Sequence, residues 1–86
     1  MTETRRRAFR GISGRLAREY LSRLGGEVSA GGHVSGPHWS ASINEETVEV
    51  GPSLTLTEVQ ITFEGAAEEL DELIPSFARK AMRAGG

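Results

Sequence analysis

The segment from Leu54 to Met82 constrains the fold most, because its apolar residues change their spacing halfway along. Val59, Ile61 and Phe63 alternate with polar residues, which is typical of a strand with one buried face. After Gly65 the apolar residues recur every three or four positions, as in a helix with one buried face. These residues are Ala66, Leu70, Leu73, Ile74, Phe77, Ala78, Ala81 and Met82. The segment therefore predicts a strand followed by a helix that packs on the apolar face of that strand.

The predicted C-terminal helix contains a proline and an uneven distribution of charge. Pro75 lacks a backbone amide, so it should kink the helix or divide it into two, near 66–74 and 76–83. Acidic residues crowd the first turns and basic residues the last, which complements the helix dipole. The acidic residues are Glu68, Glu69, Asp71 and Glu72. With no basic or histidine partner at these spacings, they indicate a solvated face rather than a catalytic or metal-binding cluster.

The first 26 residues predict a strand and a helix. Arg5 to Ile12 reads as a strand, with Phe9 facing inward and the arginines facing outward, where their charge discourages pairing with other sheets. The hydroxyl of Ser13 is suited to cap a helix from Gly14 to Leu24, because it can accept a free amide of the first turn. Gly25 and Gly26 then supply a C-terminal cap.

The middle of the chain predicts a β-hairpin after a glycine-rich loop. A weak strand around Val28 is followed by the glycine-rich segment 30–37. Alternation resumes from His38 to Ile43, and Asn44-Glu45-Glu46 reads as a tight turn before a second strand from Thr47 to Val50.

The apolar phase then changes between two adjoining stretches. Leu54 and Leu56 occupy even positions, whereas Val59, Ile61 and Phe63 occupy odd ones. A one-residue slip turns core side chains to solvent, so we predict a bulge or turn near Thr57-Glu58 that absorbs it.

These elements predict one α+β domain over residues 1–86. We expect a curved antiparallel sheet of about four or five strands with two helices, in the order β-α-β-β-β-β-α. This order fits a ubiquitin-like β-grasp poorly, because there the single long helix follows a hairpin. Residues 1–4 and 84–86 are expected to be flexible ends.

Composition narrows the possible functions. The chain has no cysteine, which excludes disulfides, thiolate metal sites and cysteine nucleophiles. No apolar run approaches the roughly 20 residues that cross a bilayer, and the polar start is unlike a signal peptide, so we expect a cytoplasmic protein. His33 and His38 lack an obvious third metal ligand and are expected to be solvent-facing. No nucleophile–base pair is evident, so the sequence predicts neither an enzyme nor a cofactor.

The distribution of charge suggests a binding surface. Residues 1–26 hold seven arginines and two glutamates, a net charge of +5, whereas residues 27–86 carry −7. Four arginines could form a face that docks an acidic partner or nucleic acid. They are Arg5, Arg7, Arg10 and Arg18. No aromatic residues are interleaved as a stacking platform, so nucleic acid is the less favoured partner.

A second anion site is conceivable where the first predicted helix begins. Gly11, Ser13 and Gly14 could form a phosphate loop at its N-terminus. The segment has neither the Walker lysine nor the dinucleotide fingerprint, so a simple turn is the favoured interpretation.

The sequence ends in Gly85-Gly86. Glycine lacks a Cβ, so such an ending can thread a narrow channel in extended form and present its carboxylate to an activating enzyme. A glycine C-cap of the last helix is the alternative.

The chain also resembles a known family. The run from Arg6 to Ser13, the helix ending in Leu24-Gly25-Gly26 and the turn Ser35-Gly36-Pro37 are similar to the small C-terminal domain that follows a ubiquitin-like domain in MoaD-related proteins. MoaD is the small subunit of molybdopterin synthase. In that family this domain is an α+β unit of uncharacterised function. The diglycine also resembles the tails of MoaD, ubiquitin and small archaeal modifier proteins, in which these glycines are the reactive site.

These resemblances imply a non-enzymatic protein of a sulfur-carrier or protein-modifier pathway. Gly86 would carry the activated carboxylate and Gly85 would provide clearance, with an E1-like activating enzyme as the partner. Alternatively, the chain would be a companion or docking module for a MoaD-like protein. Neither function requires a membrane.

Overall fold

The computed structural model describes residues 2–85 and has an α+β fold. The seven elements are β1 (Glu3–Arg10), α1 (Gly14–Arg23), β2 (Glu27–Val28), β3 (Val34–Ser35), β4 (Trp39–Gly51), β5 (Leu54–Gly65) and α2 (Ala67–Gly85). The five strands form one open sheet in the order β1-β5-β4-β3-β2, and every neighbouring pair is antiparallel. The predicted fold class and element order are confirmed.

The central pair of the sheet supplies the core together with both helices. Trp39 and Ala41 of β4 are buried on the same side as Val59, Ile61 and Phe63 of β5. Ala17 and Leu21 of α1 and the apolar stripe of α2 belong to the same buried cluster. Both helices therefore cover one side of the sheet, which we call the helix face, and leave the other side, the outer face, uncovered.

Helix α2 packs as its apolar spacing predicts, with three differences. Ala66, predicted as part of the buried stripe, precedes the helix and is exposed. Phe77 is fully buried, and its ring centroid lies 4.9 Å from that of Phe9 and 6.2 Å from those of Tyr20 and Phe63. Met82 is 75% exposed, so its assignment to the buried stripe is wrong. The helix also continues through Pro75 as one element, so the predicted division into two helices does not occur. Proline removes only one backbone donor, and the buried residues on both sides of it hold the helix on the sheet.

Helix α1 begins and ends as expected. The Ser13 hydroxyl accepts a hydrogen bond from the amide of Leu16 at 3.1 Å. At the other end Gly25 has a φ of +102°, the left-handed conformation that glycine adopts without a steric penalty.

The predicted hairpin turn at Asn44-Glu45-Glu46 is wrong. These residues continue β4 and pair with Gln60, Val59 and Glu58 of β5. The turn lies instead at Pro52 and Ser53, between Gly51 and Leu54. The predicted strands on either side of the false turn are thus one strand of 13 residues. The predicted number of strands still holds, because Val34–Ser35, inside the glycine-rich segment, forms a short strand in addition to Glu27–Val28.

The predicted bulge at Thr57-Glu58 is also absent. Pairing is regular there, and the one irregularity between β4 and β5 lies between Glu49 and Gly51. Leu54 and Leu56 therefore keep the phase of Glu58 and Gln60 and lie on the outer face, where they are 57% and 38% exposed. Val48, opposite Leu56, lies on the same face.

Candidate functional site

The last turn of α2 extends beyond the core. Ala81 is the last buried residue of this helix among those whose side chains the structure describes, and Met82 and Arg83 are exposed. Gly85, one of the two predicted activation residues, is the final residue of the helix. Gly86, the other, lies outside the described residues. Among the side chains that the structure describes, none after Ala81 anchors the last turn in the core.

The four predicted partner-binding arginines lie in three places. By register Arg5 and Arg7 lie opposite Phe63 and Ile61, so they point to the helix face, on the same side as Phe9. Arg10 lies opposite Glu58 on the outer face, and its Nε is 3.2 Å from a Glu58 carboxylate oxygen. The expectation that all arginines of β1 face away from Phe9 is therefore wrong, because residues 5, 7 and 9 share one phase of the strand.

Arg5 is the most constrained of these arginines. Its guanidinium donates to Asp71 of α2 at 2.6 Å and also to Glu3. These hydrogen bonds raise the pKa of Arg5, so it is a cation at every physiological pH. The contact with Asp71 joins the edge strand to the first half of α2.

Arg18 lies apart from the strand arginines. It belongs to α1 and packs against the glycine-rich loop, because a Cβ placed on Gly32 would lie 3.4 Å from its guanidinium. Arg5, Arg7, Arg10 and Arg18 therefore do not form one continuous face.

Strand β1 is an open edge of the sheet. The amide of Gly11 donates to Thr57 at 3.0 Å, so odd-numbered residues of β1 point their backbone groups toward β5. The backbone groups of Thr4, Arg6, Ala8 and Arg10 consequently point to the free side. Arg7 folds over this edge and donates to the Arg6 carbonyl at 2.8 Å. The edge thus combines free backbone groups with a high density of cations.

The conceivable phosphate site at the start of α1 holds a carboxylate of the chain itself. Glu45 of β4 accepts a hydrogen bond from the amide of Gly14, the first residue of α1. A helix N-terminus favours negative charge there, so Glu45 occupies the position that a phosphate would need. This contact also explains why the polar segment around Glu45 forms a strand rather than a turn.

The histidines do not meet in a metal site. His33 Nδ1 lies 3.1 Å from the Ser42 hydroxyl, and His38 is exposed. Within residues 2–85 the structure contains no group of three or more histidine and acidic side chains that could hold a metal ion. No helix in this part of the chain is long and apolar enough to cross a membrane.

A projecting hairpin is a feature that the sequence pattern did not predict. Beyond Ile43 and Val59 the β4–β5 pair leaves the core, and we call its residues 46–58 the arm. Its outer face carries aliphatic side chains that are half-buried or exposed, with Val50 beside them at the irregularity. They are Val48, Val50, Leu54 and Leu56. These four residues occupy even positions, whereas the buried Trp39 and Ala41 occupy odd ones. This difference in phase is the signal that could have placed the four residues on the outer face.

The sequence of the chain matches the model of a protein family. The model of the family described as archaeal MoaD-like protein matches residues 5–86, from the third residue of β1 to the end of the sequence. No curated protein matches the chain.

Proposed function

The chain belongs to the archaeal MoaD-like protein family, and from this premise we propose that it is a non-enzymatic carrier activated at the carboxylate of Gly86. The activating partner is an E1-like adenylating enzyme of a sulfur-carrier or protein-modifier pathway. The observation that carries the proposal is the end of the buried stripe of α2 at Ala81.

Presentation of the carboxylate requires the last helical turn to unwind. Residues 82–85 form part of α2. An extended chain spans about 3.3–3.6 Å per residue, compared with about 1.5 Å per residue in a helix, so unwinding lets the carboxylate reach further from the body of the protein. Met82 and Arg83, the residues of this segment whose side chains the structure describes, are both exposed, so neither leaves the core when the turn unwinds. Gly85 also favours the unwound state, since glycine in a helix is about 1 kcal/mol less favourable than alanine. An enzyme can therefore draw this segment out without disturbing the core.

In the proposed reaction the enzyme binds ATP and catalyses the reaction, and this chain supplies only the carboxylate that reacts. A carboxylate oxygen of Gly86 attacks the α-phosphorus of ATP, which forms an acyl-adenylate and releases pyrophosphate. Sulfide then displaces AMP and leaves a thiocarboxylate, or a cysteine thiolate of the enzyme displaces AMP and leaves a thioester. The chain contributes the carboxylate, the clearance of Gly85 and a docking surface.

The test is intact mass after incubation with an E1-like enzyme and ATP, with and without added sulfide, on protein that ends at Gly86. We expect an adenylate or a thiocarboxylate, together with release of pyrophosphate. A Gly85-Gly86 deletion should show neither, whereas Met82→Ser, with the glycines intact, should retain activation. If the full chain and the deletion give the same mass and ATP turnover, the carrier function is refuted.

A companion module that docks a MoaD-like protein is the second candidate. The observation in its favour is the open edge of β1, where free backbone groups lie among arginines. An extended acidic segment of the partner could add to this edge as a further strand.

Binding to a MoaD-like protein at two salt concentrations tests the companion function. Charge-assisted docking should weaken as salt rises, and Arg7→Glu should weaken it further. Arg79→Glu on α2 is the matched control, because Arg79 is an exposed arginine on a different element. Binding that is unchanged by both salt and Arg7→Glu would count against this role.

A further inference from the structure

The sheet has a second open edge, on the side opposite to β1. Strand β4 pairs with β3 only through Ser40 and Ala41, and beyond them no strand of the described residues flanks this side of β4. The Trp39 carbonyl accepts a hydrogen bond from the Gly36 amide at 2.8 Å on the β3 side, so odd-numbered residues of β4 turn their backbone groups to this side. Residues 45–49, which we call the β4 edge, can therefore receive a further strand.

The two open edges carry opposite charge. Residues 3–10 of β1 contain four arginines and one glutamate, a net charge of +3, whereas residues 43–51 contain three glutamates and no lysine or arginine, a net charge of −3. Pairing of two β1 strands would set arginines against arginines, and pairing of two β4 edges would set glutamates against glutamates. The charges that oppose pairing of like edges therefore favour pairing of β1 with the β4 edge.

One antiparallel register matches both the backbone groups and the charges of the two edges. It pairs Arg6 with Glu49, Ala8 with Thr47 and Arg10 with Glu45. Arg10 and Glu45 already have partners in their own chain, namely Glu58 and the Gly14 amide. Within residues 2–85 neither Arg6 nor Glu49 forms an ion pair. The attraction that this register adds therefore comes from Arg6 and Glu49.

We propose that β1 of one copy of this chain adds to the β4 edge of a second copy as a further antiparallel strand. The two sheets then become one continuous sheet. Hydrogen bonds between the two backbones hold the strands together, and the pair of Arg6 with Glu49 sets the register.

The helices of the two copies do not obstruct this arrangement. Arg6 and Ala8 lie on the outer face of their own copy, whereas Thr47 and Glu49 share the phase of the buried Ala41 and lie on the helix face. Residues that pair across two strands lie on one face of the joint sheet. The outer face of one copy therefore continues the helix face of the other, and the helices of the two copies lie on opposite sides of the sheet.

The same register covers part of the arm. Arg7 lies opposite Val48, whose side chain is on the outer face of the other copy. The alkyl stem of an arginine can pack on an aliphatic side chain while its guanidinium stays in water. The pairing therefore reduces the exposure of the aliphatic surface of the arm.

The association is head-to-tail. Each copy uses β1 for one neighbour and keeps its β4 edge for another, so the assembly continues past a dimer. The contact is a single strand pair, so we expect it to be weak and to form at high protein concentration.

Sedimentation equilibrium of the full chain, from micromolar to submillimolar concentration, tests the association. The average mass should rise past that of a dimer with concentration and should fall as salt is added. Arg6→Glu and Glu49→Arg should each raise the dissociation constant about tenfold or more, and their combination should restore association, because opposite charges again face each other. Arg79→Glu, at an exposed position of α2, is the matched control and should leave it unchanged.

Four results of this measurement would overturn the proposal. They are a monomer at every concentration, a mass that levels off at the dimer, single variants that associate like the wild type, and a combined variant that does not regain association. Activation of Gly86 does not enter the measurement, so its outcome is independent of the carrier function.

Proline substitutions that block one edge at a time test the head-to-tail arrangement. Ala8→Pro and Thr47→Pro each remove an amide that points to an open side, so the hydrogen bonds within the sheet remain. Each variant alone should stay monomeric, whereas an equimolar mixture should form a heterodimer through the β1 edge of one variant and the β4 edge of the other. Trp39 fluorescence shows whether each variant is folded, and the charge variants test the same contact if a proline prevents folding. A folded variant that associates alone, or a mixture that stays monomeric, overturns the proposal.

Discussion

Substitution of Phe77 tests how α2 is held on the sheet. Phe77 is fully buried, with one aromatic neighbour at 4.9 Å and two at 6.2 Å, all with an edge-to-face inclination of 69°. These neighbours come from β1, α1 and β5, so one ring joins α2 to three other elements. Its loss should affect the whole domain rather than the helix alone.

The size of the effect follows from the burial and from the ring geometry. Removal of a buried phenylalanine side chain costs about 3–5 kcal/mol, through the lost transfer free energy and the cavity that remains. A domain of this size is stable by roughly 4–13 kcal/mol, at about 0.05–0.15 kcal/mol per residue. Phe77→Ala should therefore lose about a quarter or more of the free energy of unfolding, and it would be largely unfolded if the wild type lies at the lower end of this range. Phe77→Leu keeps most of the apolar volume and loses mainly the aromatic pairing, which is about 0.5–1.5 kcal/mol per pair.

Urea unfolding followed by tryptophan fluorescence measures these changes. Trp39 is the only tryptophan and is 8% exposed in the same core, so it reports loss of the core directly. Met82→Ala is the matched control on the same helix, and its free energy of unfolding should stay within about 0.5 kcal/mol of the wild type. If Phe77→Ala lowers this free energy by less than about 1 kcal/mol, the reasoning that α2 is anchored through Phe77 is refuted.

Two further predictions concern close contacts away from α2. Gly36→Ala should lower the free energy of unfolding by about 1–3 kcal/mol, because a Cβ there would lie 2.2 Å from Cε2 of Trp39. Gly51→Ala is the control in thermal unfolding, because no atom lies within 4 Å of a Cβ placed on Gly51. Equal effects of the two substitutions would contradict the packing argument. Glu45→Ala should lower the free energy of unfolding by about 0.3–1 kcal/mol, because it removes the carboxylate that accepts a hydrogen bond from the Gly14 amide. Glu49→Ala serves as its control in urea unfolding, and an equal loss would contradict the capping role.

The sequence predicts best those elements whose signal is local. Helix α2 and the second half of β5 follow from periodic apolar spacing, and α1 from its serine cap and terminal glycines. The element order follows because each of these signals comes from a short stretch of chain. Met82 was misassigned because its spacing fits the stripe, whereas only the tertiary structure shows that the stripe ends at Ala81.

The errors occur where distant residues decide the structure. Asn44-Glu45-Glu46 has the composition of a turn, but pairing with β5 and the contact of Glu45 with α1 keep it in a strand. The apolar character of Leu54 and Leu56 predicts that they face the core, but their phase opposes that of Val59, which places them on the outer face. Leu54 and Leu56 are exposed because the arm extends past both helices. The local sequence pattern does not show how long the strands are relative to the helices, so it could not predict this exposure.

The arginines illustrate the same limit for the candidate site. Composition identified a basic N-terminal third, but it could not show that Arg5 is tied to Asp71 or that Arg10 faces Glu58. The alternation of residues 5, 7 and 9 was enough to place Arg5 and Arg7 on the side of Phe9.

Hydrogen exchange of the α2 amides distinguishes a last turn that can open from one that is fixed to the sheet. Residues up to Ala81 hold the helix on the sheet, and the following turn is expected to open without them. The amides of Met82 and Arg83 should therefore exchange by local opening, with little protection and no dependence on mild urea. The amides of Leu73 and Phe77 should exchange only through global unfolding. If the amides of Met82 and Arg83 were protected as strongly as that of Phe77, the last turn would be part of the fixed core, and presentation of the diglycine would be contradicted.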